Sequence, residues 1–513
     1  MESVVEVGTG AISRADVLAV ARDGTRVSLS SGARSALRAG CAVVQALESS
    51  PVPVYGVSTG FGALAGEHID PLRRVQLQRS LILSHAAGTG SEVEREVIRA
   101  MMLLRLSTLA TGRTGVRLET AEAIGRLLCA NVTPVVYEYG SLGCSGDLAP
   151  LAHCALALMG EGDVRDATGA RRPAAEVLAE IDLLPVQLVA KEGLALINGT
   201  DGMLGMLVLG IADLTRLLRT ADVAAAMSIE ALMGTDRVFA AELIALRPHP
   251  GQVASAANLR SLVAGSPIMA SHRGPDCTRV QDAYSMRCAP QVHGAARDTV
   301  QFATTVADCE LASTIDNPVV LPDGRVESNG NFHGAPVGYA LDFCAIPVAD
   351  VASMSERRTD RFLDVARSAG LPAFLAAAPG VDSGHMIAQY TSASIVAELR
   401  RLAMPASVDS IPSSAMQEDH VSMGWAAGHK LRRALDGLTA VLAIELLTAA
   451  RALDLRTPLH PAAATGAVVA LLREHVAGPG PDRYLAPEIE AVTELVRTGA
   501  VVAAAEAVTG PLA

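Results

Sequence analysis

The sequence predicts a helical protein with an aliphatic core. Three observations carry that reading. Half of the 513 residues are hydrophobic, yet aromatic side chains supply only 3%, as seven Phe, seven Tyr and one Trp. β-Sandwiches and barrels usually draw on more aromatics, so the core must come from Ala, Leu, Val and Met. From about residue 200 onward the pattern is strongly helical. The clearest case runs from Ala426 to Arg456, where Leu431, Leu435, Leu438, Leu442, Leu446, Ala449 and Leu453 recur at spacings of three or four. That spacing lays one apolar stripe along a helix. The helix is longer than the usual ~8–20 residues and suits a bundle or a subunit interface.

Other elements follow in order. The first fifty residues mix short β-rich pieces, Val4 to Val7 and Val27 to Leu29, with a helical stretch near Arg34 to Leu47. Residues 71–110 read as helices with a turn around Gly88-Thr89-Gly90. Asp163 to Pro173 reads as a small hairpin turning at Asp166-Ala167-Thr168-Gly169, and a second hairpin is expected at Pro322-Asp323-Gly324. Pro458 and Pro461 stop the long helix. Gly478 to Pro481 marks a late turn before a short helix near Pro487 to Arg497.

Composition also excludes functions. Lys and Arg number 42 against 54 Asp and Glu, a net charge of −12. Such a chain repels phosphate backbones and anionic membranes, and it lacks exposed aromatics for stacking bases. No nucleic acid and no membrane is expected as a partner. The start Met-Glu-Ser-Val-Val-Glu has no basic, apolar leader, and the longest uncharged runs fall short of about 18 residues. None of the eight cysteines shows CxxC spacing, so they are expected to be reduced thiols in a cytoplasmic protein. No HExxH-type spacing predicts a catalytic metal.

The most informative stretch is Gly140 to His153, Gly-Ser-Leu-Gly-Cys-Ser-Gly-Asp-Leu-Ala-Pro-Leu-Ala-His. Glycines at 140, 143 and 146 permit unusual backbone angles. Asp147 is a suitable N-cap and Pro150 fits a first helical turn. By spacing alone this is a Gly-rich helix entry. It is neither a Walker loop nor a dinucleotide fingerprint.

The string itself resembles the cofactor loop of the aromatic amino acid ammonia-lyase family. In that family an Ala-Ser-Gly triplet cyclises into 4-methylidene-imidazole-5-one (MIO). Here the triplet is Cys144-Ser145-Gly146. Gly146 must bring its amide nitrogen to the Cys144 carbonyl carbon, and Ser145 must lose its hydroxyl as water to leave a methylene. The first residue contributes mainly its carbonyl, so Cys is chemically permissible. The resemblance covers nearly the whole chain through further blocks: Tyr55 to Gly62, Lys191 to Thr200, Gln281 to Gly294 and Asn329 to Gly334. Ser58 and Cys144 depart from the commonest residues.

The resemblance implies a mainly α fold of the aromatic amino acid lyase and fumarase-aspartase-like kind. A mixed N-terminal domain, residues 1–205, would carry the MIO loop, and residues 206–513 would form a long helical bundle. It implies a homotetramer whose active sites are shared among subunits. Tyr55 matches the catalytic base, and a free Tyr near pKa 10 would need a positive field to serve; the helix end at the triplet is the expected source. Tyr284 joins Tyr55 and Ser145 among the expected catalytic groups. Arg287 matches the carboxylate-binding arginine, Asn198 and Gln281 the polar groups around cofactor and amine, and Phe332 the ring packed on them.

Three positions address the substrate. His85, Met386 and Glu418 match the version of the family that processes L-histidine, giving trans-urocanate and ammonia. A carboxylate suits an imidazole, which can donate a hydrogen bond, and disfavours a phenyl ring. The rivals are a phenylalanine or tyrosine lyase, an MIO aminomutase and a non-catalytic helical scaffold. Singly, each residue has a duller reading, as packed turn, cap or surface cation. The other histidines, including His153, read as structural. The charge-dense run Ser355 to Arg361 reads as an intersubunit salt-bridge patch.

Overall fold

Val4–Val7 and Arg26–Leu29 pair in parallel, Val4 against Arg26 through Val7 against Leu29. The helix Arg14–Arg22 links them, opened by a Ser13–Asp16 capping box. The computed structural model describes residues 4–48, 53–274, 277 and 280–513. Helices dominate throughout, and the strands are two to four residues long. The mainly α expectation holds. So do both hairpins, Asp163–Arg165 with Arg171–Pro173 and Val319–Val320 with Val326–Glu327. In the first, Asp166 Oδ1 accepts from the amides of Thr168 and Ala170 and shapes the turn.

Two local expectations are corrected. Gly88-Thr89-Gly90 is not a simple turn. Thr89–Glu92 is extended and pairs, with a bulge, against Tyr137–Tyr139. Gly90 takes φ +96°, and its backbone lies so close to the Tyr139 ring that a Cβ would meet it at 2.6 Å. At the C-terminal end, Ala486–Thr498 is followed by a second helix, Ala500–Thr509. Gly499, at φ +82°, reverses the chain between them.

The chain divides into two compact units. The first holds residues 1–209, 303–342 and 405–429; the second holds 210–302, 343–404 and 430–513. In the first, the helix Arg95–Ala110 is buried along almost its whole length. In the second, the predicted stripe of the helix Gly424–Asp454, from Leu431 to Leu453, is at most 4% exposed. Burying aliphatic side chains of this size stabilises the fold by roughly 1.5–3 kcal/mol each. Among the described residues one helix, Ala335–Leu363, is long and apolar enough by composition to cross a membrane, but 61% of its apolar window is buried inside the protein.

The run Ser355 to Arg361 is divided, with Glu356 and Arg358 buried and Arg357 exposed. Arg358 is fully buried and pairs with Glu445 of the same chain, Nε to Oε1 at 2.5 Å and Nη2 to Oε2 at 2.9 Å. Ser228 Oγ donates to the same carboxylate at 2.6 Å. Helical spacing turns alternate charges of this run inward, which a linear count of charges does not reveal.

Candidate active site

The Cys144-Ser145-Gly146 triplet bends just ahead of the helix Leu148–Leu158. Gly143 and Gly146 have φ of +68° and +76°, which side-chain-bearing residues rarely adopt. Gly146 bridges in parallel to Gly199. A Cβ on Gly146 would lie 2.1 Å from the Gly199 oxygen. The same oxygen accepts from the Asp147 amide at 2.7 Å. Upstream, the Gly143 carbonyl accepts from Ser422 Oγ at 2.8 Å and from the Gly334 amide at 3.3 Å. The turn is thus gripped on both sides.

Asp147 occupies the N-cap position but does not cap its own helix. Its Oδ2 instead accepts from the amides of Gly202 and Met203, both at 2.9 Å, at the start of the helix Asp201–Ala231. Ser141 Oγ donates to its other oxygen at 3.1 Å. Complete burial pushes its carboxyl up to about 7 against the pull of these donors.

Asn198 ends the short helix Glu192–Ile197 and is 3% exposed. Its carbonyl and that of Ala195 both accept from Nη1 of Arg105, and the Ile315 carbonyl accepts from Nη2. Arg105, 2% exposed, is a residue that the sequence reading missed. The signal was a lone cation inside the apolar run Met101 to Leu109, which must be paired when buried. Asn198 Oδ1 is buried with no hydrogen-bond partner among the described residues. A half-buried seryl hydroxyl between two glycine-permitted bends, no room for a side chain on Gly146, and an orphaned amide oxygen beside Gly199 fit the MIO cofactor.

Tyr55 is half-buried, its Oη accepting from the Gly62 amide at 3.0 Å and its ring set edge-on to Phe61. Burial first, and the Glu418 carboxylate after it, push its hydroxyl above the ordinary 10, while the Gly62 amide pulls it down. His85 ends the helix Arg74–His85, with Ser84 Oγ 3.0 Å from Nδ1. Burial lowers its pKa, and Glu418 again acts on it, in the raising direction. Burial pushes the Cys144 thiol up to about 12, and the Glu418 carboxylate acts in the same direction. One carboxylate therefore acts on Tyr55, His85 and Cys144 together.

Glu418 is held by a two-sided backbone bridge to Ser413, and Ser413 Oγ donates to its Oε2 at 3.1 Å. Between them Ser414, Ala415 and Met416 all have positive φ, of 48°, 51° and 70°. Three such residues in a row are costly and mark a backbone held by its surroundings. The tyrosine loop touches this turn: a Cβ on Gly62 would meet Ser414 Oγ at 2.9 Å. Phe332 is half-buried two residues before Gly334. The next residue, His333, stacks on His420 with centroids 5.6 Å apart.

The remaining predicted residues belong to the second unit. Gln281 is exposed and Tyr284 is 70% exposed. The Arg287 guanidinium lies 4.7 Å from the Tyr284 ring centroid, and its Nε is buried without a hydrogen-bond partner among the described residues. Arg358 Nη1 donates to the Ser285 carbonyl at 3.0 Å and ties this turn down. Met386 opens the helix Met386–Leu402.

The profile of the aromatic amino acid lyase family matches residues 12–474. Histidine ammonia-lyases of Streptomyces avermitilis and Streptomyces coelicolor are 62% and 63% identical, each over 100% of both chains. Among solved structures, a tyrosine aminomutase from Streptomyces globisporus superposes with TM-score 0.94 at 36% identity over 100% of both chains. The histidine ammonia-lyase of Trypanosoma cruzi does so with TM-score 0.90 at 37% identity, over 98% of this chain and 95% of that one. A gripped Gly-rich turn and a family match spanning most of the sequence have one explanation: the chain belongs to the aromatic amino acid lyase family.

Proposed function

We propose that this protein is a histidine ammonia-lyase that converts L-histidine to trans-urocanate and ammonia, using MIO formed by its own Cys144, Ser145 and Gly146. One observation carries the substrate assignment: Glu418, pinned by Ser413, lies in the turn packed on the tyrosine loop, where its carboxylate bears on Tyr55, His85 and Cys144. A carboxylate at that point accepts from an imidazole N–H and repels an unpartnered phenyl ring.

Once formed from Cys144, Ser145 and Gly146, the cofactor would supply an electrophilic methylene that makes the substrate nitrogen a better leaving group. The chain's own residues do the rest. Glu418 and His85 orient the imidazole. Arg287 holds the substrate carboxylate through its planar fork, with Tyr284 stacked against it. Asn198 and Gln281 receive the amine, while Phe332 and Met386 wall the site. Tyr55 removes the β-proton. Its raised pKa relaxes when the imidazole N–H satisfies Glu418, because the charge that disfavours tyrosinate is then partly compensated. A homotetramer with shared sites and a cytoplasmic location belong to the same proposal. Tyr339, Phe343 and Ile346, spaced along the helix Ala335–Leu363 and 43–49% exposed, support a covered surface; all eight thiols are free.

Glu418→Gln is the test. Losing a charge-assisted hydrogen bond of about 1.5–3 kcal/mol should lower kcat/KM for L-histidine roughly ten- to a hundredfold. The mass deficit of two water molecules that reports the cofactor should persist. An unchanged kcat/KM removes Glu418 from the imidazole site.

A further inference from the structure

We infer that His153, on the helix that follows the cofactor turn, is a positioning residue that sets substrate affinity by holding the His85 segment. The inference rests on the proposed role of His85 at the imidazole.

The Gly88 amide donates to His153 Nε2 at 3.1 Å. Nε2 must therefore carry a lone pair, which makes this ring neutral with its proton on Nδ1. Burial favours that form, and the ring packs edge-on to Tyr137 with centroids 5.3 Å apart. His153 sits in the second turn of Leu148–Leu158, the helix whose N-terminus receives Cys144-Ser145-Gly146. Gly88 lies three residues beyond His85, where the helix Arg74–His85 has ended and the chain turns toward the strand Thr89–Glu92.

Between them Ala86 and Ala87 carry little that could fix the segment. The Ala86 amide closes the helix on Ile82, and the Ala87 amide bonds to the His85 carbonyl at 2.8 Å. The helix Arg74–His85 packs on the cofactor-bearing helix, and the Gly88–His153 bond adds a directed polar tie from the stretch that follows it. The approach is close: a Cβ on Gly88 would stand 3.0 Å from both His153 Nε2 and the Tyr139 oxygen. His85 is thereby referenced to the same helix as the reacting group, so imidazole and cofactor positions are set by one rigid element.

Two substitutions at His153 separate this role from packing. His153→Gln can return an acceptor to the Nε2 position. His153→Leu keeps the bulk but leaves the Gly88 amide unpaired. His153→Leu should raise KM for L-histidine about tenfold with kcat and the mass deficit nearly unchanged, and His153→Gln should stay within about threefold of the parent. Gly88→Ala crowds the same bond from the other side and should reproduce the Leu phenotype if His153→Leu does not fold. Equal KM increases in Gln and Leu would overturn the inference, since the acceptor would then be irrelevant. So would an unchanged KM in His153→Leu and Gly88→Ala. Failure of the underlying reading looks different, because the parent itself would then leave L-histidine unconverted.

Discussion

Glu418 pushes both the Tyr55 hydroxyl and the Cys144 thiol up, so its charge should be readable at both residues. In Glu418→Gln the Tyr55 ionisation should fall toward its ordinary value, leaving burial as the remaining cause. The shift is measurable as tyrosinate absorbance against pH, taken as the difference from Tyr55→Phe. No movement would mean that the carboxylate is solvent-screened from the ring. Tyr55→Phe itself should lose about a hundred- to ten-thousandfold in kcat, the range for a general base, while retaining the mass deficit. His85 gives a stability test. Burial holds its folded pKa below 6.5. Its contribution is therefore complete above the unfolded value and is lost as pH falls through the folded one. His85→Gln should flatten the decline of Tm below pH 6.5; an unaltered profile would assign that decline elsewhere.

The elements around the turn explain why its residues are what they are. Gly146 faces the Gly199 carbonyl with no space for a methyl group, so Gly146→Ala must push the segments apart. The prediction is a folded protein without the two-water mass deficit; a normal deficit would show that the grip is not needed for cyclisation. This part of the site is legible in the sequence because the chemistry fixes residue types locally: a glycine for reach and a serine for the methylene. What is not legible involves partners distant in sequence. Asp147 fits an N-cap pattern, yet its carboxylate serves the next long helix at Gly202 and Met203. Arg105 clamps carbonyls 90 and 93 positions away. His153 reads as an ordinary core histidine, and only the fold brings Gly88 to 3.1 Å from it.

At the scale of the molecule the aliphatic stripe is readable and the buried ionic pairing is not. Apolar periodicity marks the core face of the helix Gly424–Asp454, and all seven stripe residues are buried. Glu445, on the same helix, is fully buried, and Arg358 supplies the charge that balances it there. Arg358→Met should therefore cost about 3–5 kcal/mol by stranding Glu445, measurable as a lower urea midpoint. The pair replacement Arg358→Met with Glu445→Met should recover most of it; no recovery would mean that packing, not charge, holds the region. For function, the direct measurement is turnover of L-histidine, L-phenylalanine and L-tyrosine side by side by the purified protein, with the unsaturated acid and ammonia both followed. Urocanate and ammonia in equal amounts from L-histidine alone are predicted. A β-amino acid product, preferential conversion of the phenyl substrates, or no turnover of any of the three would contradict the account.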